Sequence, residues 1–136
     1  MPSGSCLCGA VQYEATQALE SIDHCHCSMC RRSHGTAFAT YGRVAKHDFH
    51  VTTGHEHLKA YASSEDVVRS FCDQCGSSLL FHHSAMPEHE FIALGSLDED
   101  PGGRPQAHIF VGSKAPWYEI TDALPQYESY PTDEAD

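Results

Sequence analysis

Apolar residues along this chain recur with a period close to two rather than 3.6. Val11, Tyr13 and Ala15 alternate with polar neighbours, Phe38 and Thr40 follow suit, and Phe49 and Val51 form another short run. Successive side chains of a strand point to opposite faces, so this alternation predicts half-buried strands. Further strands are predicted over residues 67–72, 78–82, 90–94 and 107–111. Turn signals separate them at Thr53-Gly54, at residues 84–89, and at Pro101-Gly102-Gly103-Arg104-Pro105. Helix is scarce: one or two turns are predicted from Ser28 towards His34, stopped by Gly35. The expectation is a mainly β fold of small antiparallel sheets with little helix. No internal repeat or linker divides the chain, so residues 1–136 read as one domain with an acidic tail over 125–136. That tail is polar and is expected to fray.

Seven cysteines interrupt this pattern in three tight clusters: Cys6-Leu7-Cys8, Cys25-His26-Cys27-Ser28-Met29-Cys30 and Cys72-Asp73-Gln74-Cys75. Thiolates two or three residues apart present sulfur to one soft metal ion, usually zinc. Disulfides suit the pattern poorly. The count is odd, and bridging Cys6 to Cys8 directly would demand a strained ring.

Composition narrows the rest. The chain is 40% hydrophobic, which is a globular rather than a disordered composition. No run approaches the roughly 18 consecutive apolar residues of a membrane span, and the first residues do not read as a signal peptide. A cytoplasmic protein with no membrane partner is therefore expected, and in a reducing compartment clustered cysteines favour metal over disulfide. The net charge is −11 with only eight Lys and Arg, scattered apart from Arg31-Arg32, so a nucleic-acid partner is not expected. Of the eleven histidines, His47, His50, His55 and His57 sit among polar residues and read as solvated.

Seven sulfurs divide into a closed quartet and a trio. Sulfurs about 2.3 Å from one tetrahedral ion stand about 3.8 Å apart, which the Cys72–Cys75 turn can meet. Gly76 supplies the permissive backbone, and N–H groups can then point at the thiolates. Cys6 and Cys8, also followed by a glycine, are the natural partners. The four would form a structural zinc site with no open position, tying the first strand to the middle of the chain. Cys25, Cys27 and Cys30 offer three ligands from one turn and the start of the helix. The fourth position could be open, or closed by His24, His26 or another histidine. Three thiolates and a zinc dication sum to −1, a centre better suited to holding a soft thiolate than to making hydroxide. Carbon–sulfur bond chemistry is the expected consequence.

Three ordered blocks resemble a known family. They are Gly4-Ser5-Cys6-Leu7-Cys8-Gly9-Ala10-Val11-Gln12-Tyr13, His24-Cys25-His26-Cys27-Ser28-Met29-Cys30-Arg31-Arg32 with Gly35-Thr36-Ala37-Phe38, and Arg69-Ser70-Phe71-Cys72-Asp73-Gln74-Cys75-Gly76-Ser77-Ser78-Leu79. With Lys114-Ala115-Pro116-Trp117-Tyr118, they are similar to the glutathione-dependent formaldehyde-activating enzyme and centromere protein V family over about residues 4–118. The resemblance implies a β-tent (Mss4-like) fold and two zinc ions per chain. Cys6, Cys8, Cys72 and Cys75 would hold the structural ion, and Cys25, Cys27 and Cys30 the catalytic one. It implies a carbon–sulfur lyase joining a small thiol such as glutathione to a small aldehyde such as formaldehyde.

For a charged thiol, Arg31, Arg32, Arg43, Lys46 and Arg69 are candidate anchors by charge, Arg31 and Arg32 foremost because they follow Cys30. A histidine or a water would return the proton to the alkoxide. His26 is expected to point away from the metal, and His34 to return along the helix face. Rival readings are a non-catalytic zinc-stabilised binding module and a zinc or redox sensor.

Overall fold

The computed structural model describes residues 2–131. The first sheet is antiparallel, with β1 (Ser3–Ser5), β2 (Gln12–Ala15) and β5 (Phe49–Thr53) side by side in that order. The second contains β3 (Ser21–Cys25), β4 (Ala39–Ala45), β6 (Leu58–Ala62), β7 (Val67–Cys72), β8 (Ser78–His83), β9 (His89–Ala93) and β10 (Ala107–Ile109). Its spatial order is β10-β3-β4-β9-β8-β7-β6. β10 pairs parallel with β3, and the other neighbours are antiparallel. The fold is mainly β, as the period-two pattern requires. Among the described residues there is one α-helix, α1 (Ser28–His34), which ends at Gly35, whose φ of 65° lets the chain turn out of the helix.

The two faces of the larger sheet have different fates. Val44, Leu80 and Ile92 point to one side and pack with Tyr13 and Ala15 of the smaller sheet and with Val11 just before it. Leu79 and Ile92 are fully buried there, each contributing about 2 kcal/mol through lost apolar surface. The other face carries Cys25, Ala39, Tyr41 and Ala93, with Phe81 and Phe91 packed against them. Those residues are odd-numbered and Val44, Leu80 and Ile92 are even-numbered, as strand alternation requires; Leu79 joins the even-numbered side because the pairing of β7 with β8 shifts register between Ser70 and Phe71.

Three short strands lie outside the sequence expectation. β1 reads Ser-Gly-Ser, β6 is an edge strand with mostly exposed side chains, and β3 mixes Asp23 and His24 with buried Ile22 and Cys25. Of the 125–136 stretch, residues 125–131 run beside β10. His108 N donates to Pro125 O at 2.9 Å, Tyr127 N to His108 O at 2.9 Å, and Phe110 N to Ser129 O at 3.1 Å. Fraying is expected from Pro125 onward, yet these bonds hold residues 125–129 against the sheet; residues 132–136 lie outside the described residues. Among the described residues no helix is long and apolar enough to cross a membrane.

Candidate functional site

The fold gathers the cysteines into two groups. In each, all sulfurs lie within 4.8 Å of one another: Cys6, Cys8, Cys72 and Cys75 in one, and Cys25, Cys27 and Cys30 in the other. In the quartet Cys6 and Cys8 sulfurs are 3.6 Å apart, and those of Cys8 and Cys72 are 3.9 Å apart. These separations match the roughly 3.8 Å edge of a tetrahedral zinc–thiolate centre. Both cysteine pairs end in a glycine of positive φ, Gly9 at 82° and Gly76 at 78°, a backbone shape that a Cβ would strain.

Those turns aim donors at sulfur. Val11 N–H donates to Cys6 at 3.3 Å, and Gln74 N–H to Cys72 at 3.3 Å. Ser77 joins the two turns: its oxygen accepts from Leu7 N–H at 2.9 Å while its hydroxyl lies 3.2 Å from Cys75. The Ser77 hydroxyl and N–H together hold the Cys75 thiol down at about 5. A set of thiols supported in this way fits a soft divalent metal.

The trio stands where β3 runs into α1. Cys25 is the last residue of β3, Cys27 is the N-cap of α1 with its sulfur accepting from Cys30 N–H at 3.2 Å, and Cys30 is buried in the first turn. Cys27 is held far below the ordinary thiol range, first by Cys25 and then by Cys30, while the same contacts push Cys25 up. Three sulfurs within 4.8 Å of one another, one of them held as an acceptor by the Cys30 N–H, fit a soft metal as well. Among the described residues no histidine, aspartate or glutamate joins it within the same span. His26, expected to turn away, is fully buried, with Nε2 2.8 Å from His108 Nδ1, whose Nε2 is 2.9 Å from Asp122. Burial, then His108, holds the His26 imidazole down at about 4. His24 Nδ1 is 2.7 Å from Thr40 Oγ1.

Of the cationic candidates, Arg69 reaches the site. Its Nη2 donates to Cys30 Sγ at 3.6 Å and its Nη1 to the Tyr41 hydroxyl oxygen at 3.3 Å. The same oxygen lies 2.6 Å from His34 Nε2. Burial, and then the charge of Cys30, raises the Tyr41 pKa above the ordinary phenol range, so the hydroxyl stays protonated. Burial and the Arg69 charge lower that of His34, so its imidazole stays neutral. Tyr41 has no sequence signal; only the position of β4 in the sheet brings it beside Arg69 and His34.

Two cavities flank this group. One, of about 250 Å³, is lined by all three trio cysteines and by Arg69, Phe81 and Phe91, among others. A second, of about 420 Å³, is lined by Arg32, Tyr61, Ser33, Ser63, Ser70 and Ser78. Met29, Tyr41 and Arg69 line both and form the partition. Arg43 lines the first cavity and is held by Glu20 at 3.3 Å, whereas Arg31 and Lys46 line neither.

Comparison with known proteins agrees with this arrangement. The family model described as glutathione-dependent formaldehyde-activating enzyme matches residues 1–113. A protein of Halomonas elongata named as a putative glutathione-dependent formaldehyde-activating enzyme is 29% identical over 124 residues, covering 86% of this chain and 79% of the relative. A protein of Schizosaccharomyces pombe named as an uncharacterized lyase is 31% identical over 89 residues, covering 65% of this chain and 63% of the relative. The crystal structure of a Rhodobacter sphaeroides protein superimposes with a TM-score of 0.61 at 29% identity, covering 76% of this chain and 91% of that one. By the extent of the family match and the two cysteine groups it contains, this chain belongs to the glutathione-dependent formaldehyde-activating enzyme family.

Proposed function

We infer that the protein is a zinc-dependent carbon–sulfur lyase that joins a small charged thiol of the glutathione type to a small aldehyde. In this reading Cys6, Cys8, Cys72 and Cys75 hold a structural ion, and Cys25, Cys27 and Cys30 hold the ion at the reaction site. The observation that carries it is the trio of sulfurs in the wall of a cavity, with Arg69 and Tyr41 beside them. Zinc held by the trio would supply a soft Lewis acid that favours a substrate thiolate over its thiol.

The chain's own groups then divide the work. Glutathione carries two carboxylates and one ammonium. Arg32 and the serine hydroxyls of the second cavity match that body, and Arg69 at the partition adds positive charge beside the sulfurs. The thiol proton leaves to solvent, and the sulfur lone pair forms the C–S bond as the carbonyl π pair moves to oxygen. Tyr41 is placed to return a proton to that oxygen. Arg69 Nη1 donates to the Tyr41 oxygen, and His34 Nε2 lies 2.6 Å from it; with the imidazole proton on Nε2, both groups would stabilise the tyrosinate left behind and the Tyr41 O–H would be free to donate. Solvent restores the tyrosine proton, so RSH and R′CHO give RS–CH(OH)R′ with all atoms accounted for.

The test is exchange NMR of glutathione with formaldehyde, comparing zinc-loaded wild type and Cys27→Ser with the uncatalysed rate. Acceleration by the wild type and its loss in Cys27→Ser are expected. Equal rates for the two proteins would end the proposal.

A further inference from the structure

The cavity beside the trio is far larger than formaldehyde, a single carbon and its oxygen, requires. One row of side chains crosses the large sheet in register. Ser21 stands beside Arg43, Arg43 beside Phe91, Phe91 beside Phe81, and Phe81 beside Arg69. Along β3, Cys25, Asp23 and Ser21 line the same cavity, which gives it a length of roughly 13 Å at about 3.3 Å per residue. Its middle is aromatic. Phe81 and Phe91 stack with ring centres 4.4 Å apart and planes 2° apart, and Tyr41 meets Phe81 edge-on at 4.6 Å.

Phe110 adds an independent sign. Among the described residues it alone has a positive φ without being glycine, at 59°. A bulky L-residue holds that shape only where its surroundings impose it, and such residues cluster at ligand sites. Here the conformation places an aromatic ring in the cavity lining, packed edge-on against Tyr130 at 4.8 Å.

We propose that this cavity is a subsite for a planar apolar ring, and that the carbonyl substrate is an arylalkyl aldehyde, of which phenylacetaldehyde is the simplest. The assignment of ring to aldehyde rests on the thiol–aldehyde reading above. A charged thiol matches Arg32 and the serines of the second cavity; the first also holds Arg43, but that side chain is paired with Glu20 and the middle of the cavity is aromatic, which leaves it for the aldehyde's substituent. Formaldehyde would leave most of those apolar walls in contact with water, whereas a ring would cover them. A methylene between ring and carbonyl lets the reacting carbon stay at the cysteine end while the ring reaches the phenylalanines. It also keeps the carbonyl unconjugated, so addition of sulfur sacrifices no resonance with the ring.

Zinc-loaded wild type and Phe110→Gly are assayed by exchange NMR with glutathione and either formaldehyde or phenylacetaldehyde, each rate taken relative to its uncatalysed one. Binding of unreactive 2-phenylethanol is followed separately through phenylalanine ring resonances. Glycine accepts the positive φ, so this variant removes the ring without imposing a new backbone strain. The expected results are an acceleration about tenfold greater for phenylacetaldehyde, saturable binding of 2-phenylethanol, and loss of about tenfold of that preference in Phe110→Gly. Equal acceleration of both aldehydes with no binding of 2-phenylethanol overturns the ring subsite and leaves the reaction standing. Binding of 2-phenylethanol without turnover of either aldehyde overturns the reaction and the aldehyde assignment, and supports the ring subsite alone.

Discussion

The two cysteine groups differ most in the length of chain they close, and that difference sets how much each should stabilise the fold. Cys8 and Cys72 are 64 residues apart in sequence, while Cys25 and Cys30 are separated by only five. If a metal cross-link acts on the unfolded chain as a covalent one does, the loop-entropy relation gives about 4 kcal/mol for the long closure. The short one gives about 2 kcal/mol. At this chain length 1 kcal/mol moves Tm by about 4 °C, so the expected losses are about 15 °C for Cys8→Ser and about 8 °C for Cys27→Ser. The pair is chosen for cleanliness. Cys8 is exposed and Cys27 is only half-buried, so neither change opens a core cavity, and the serine hydroxyl at position 27 preserves an acceptor at the helix N-cap. Differential scanning calorimetry on zinc-loaded protein, with metal content measured in parallel, reads the difference directly. A Tm loss for Cys27→Ser equal to or greater than that for Cys8→Ser would refute the division into a bracing quartet and a reactive trio.

Tyr41→Phe should lower kcat for adduct formation by about 10² while secondary structure by circular dichroism is unchanged, since it deletes the proposed proton donor. Undiminished kcat would remove Tyr41 from the mechanism. Gly54→Ala should cost more than about 3 kcal/mol in urea titrations, because φ is 77° and a Cβ would collide with the Ala10 carbonyl oxygen; a loss under 1 kcal/mol would contradict that packing. The depressed pKa of His34 gives a pH signature. Its neutral form is favoured in the fold, so the unfolded chain binds the proton first, and this contribution is complete above about pH 6.5 and lost as pH falls through the folded value. The urea midpoint of the wild type should therefore drop more between pH 7.5 and 5.5 than that of His34→Gln. Parallel slopes would show that His34 does not carry the effect.

Much of the architecture could be read from the residues. β7 falls on residues 67–72 as expected, and α1 runs from Ser28 to His34 with Gly35 as its stop, because period-two burial and a left-handed cap both leave local marks. The quartet and the trio were visible in the same way, through short spacings and trailing glycines. β1, β3 and β6 were not, since polar, small or exposed residues hide the alternation there. The arginine beside the sulfurs is not legible from chain adjacency. Chain adjacency put Arg31 and Arg32 first, yet α1 carries Arg32 to the second cavity, and Arg69 arrives from β7 across the sheet. The Arg69–Tyr41–His34 contact joins residues 28 and seven positions apart through strand register and one helix end, a relation that no linear spacing encodes.

Cobalt(II) substitution separates a closed four-sulfur centre from an open three-sulfur one, because thiolate-to-cobalt absorption reports the number of sulfurs on each ion and any change in them. Two cobalt ions per chain are expected, with glutathione perturbing the bands of one and leaving the other unmoved, and with Cys27→Ser abolishing the responsive signal alone. Two centres whose spectra both ignore added thiol would contradict an open trio.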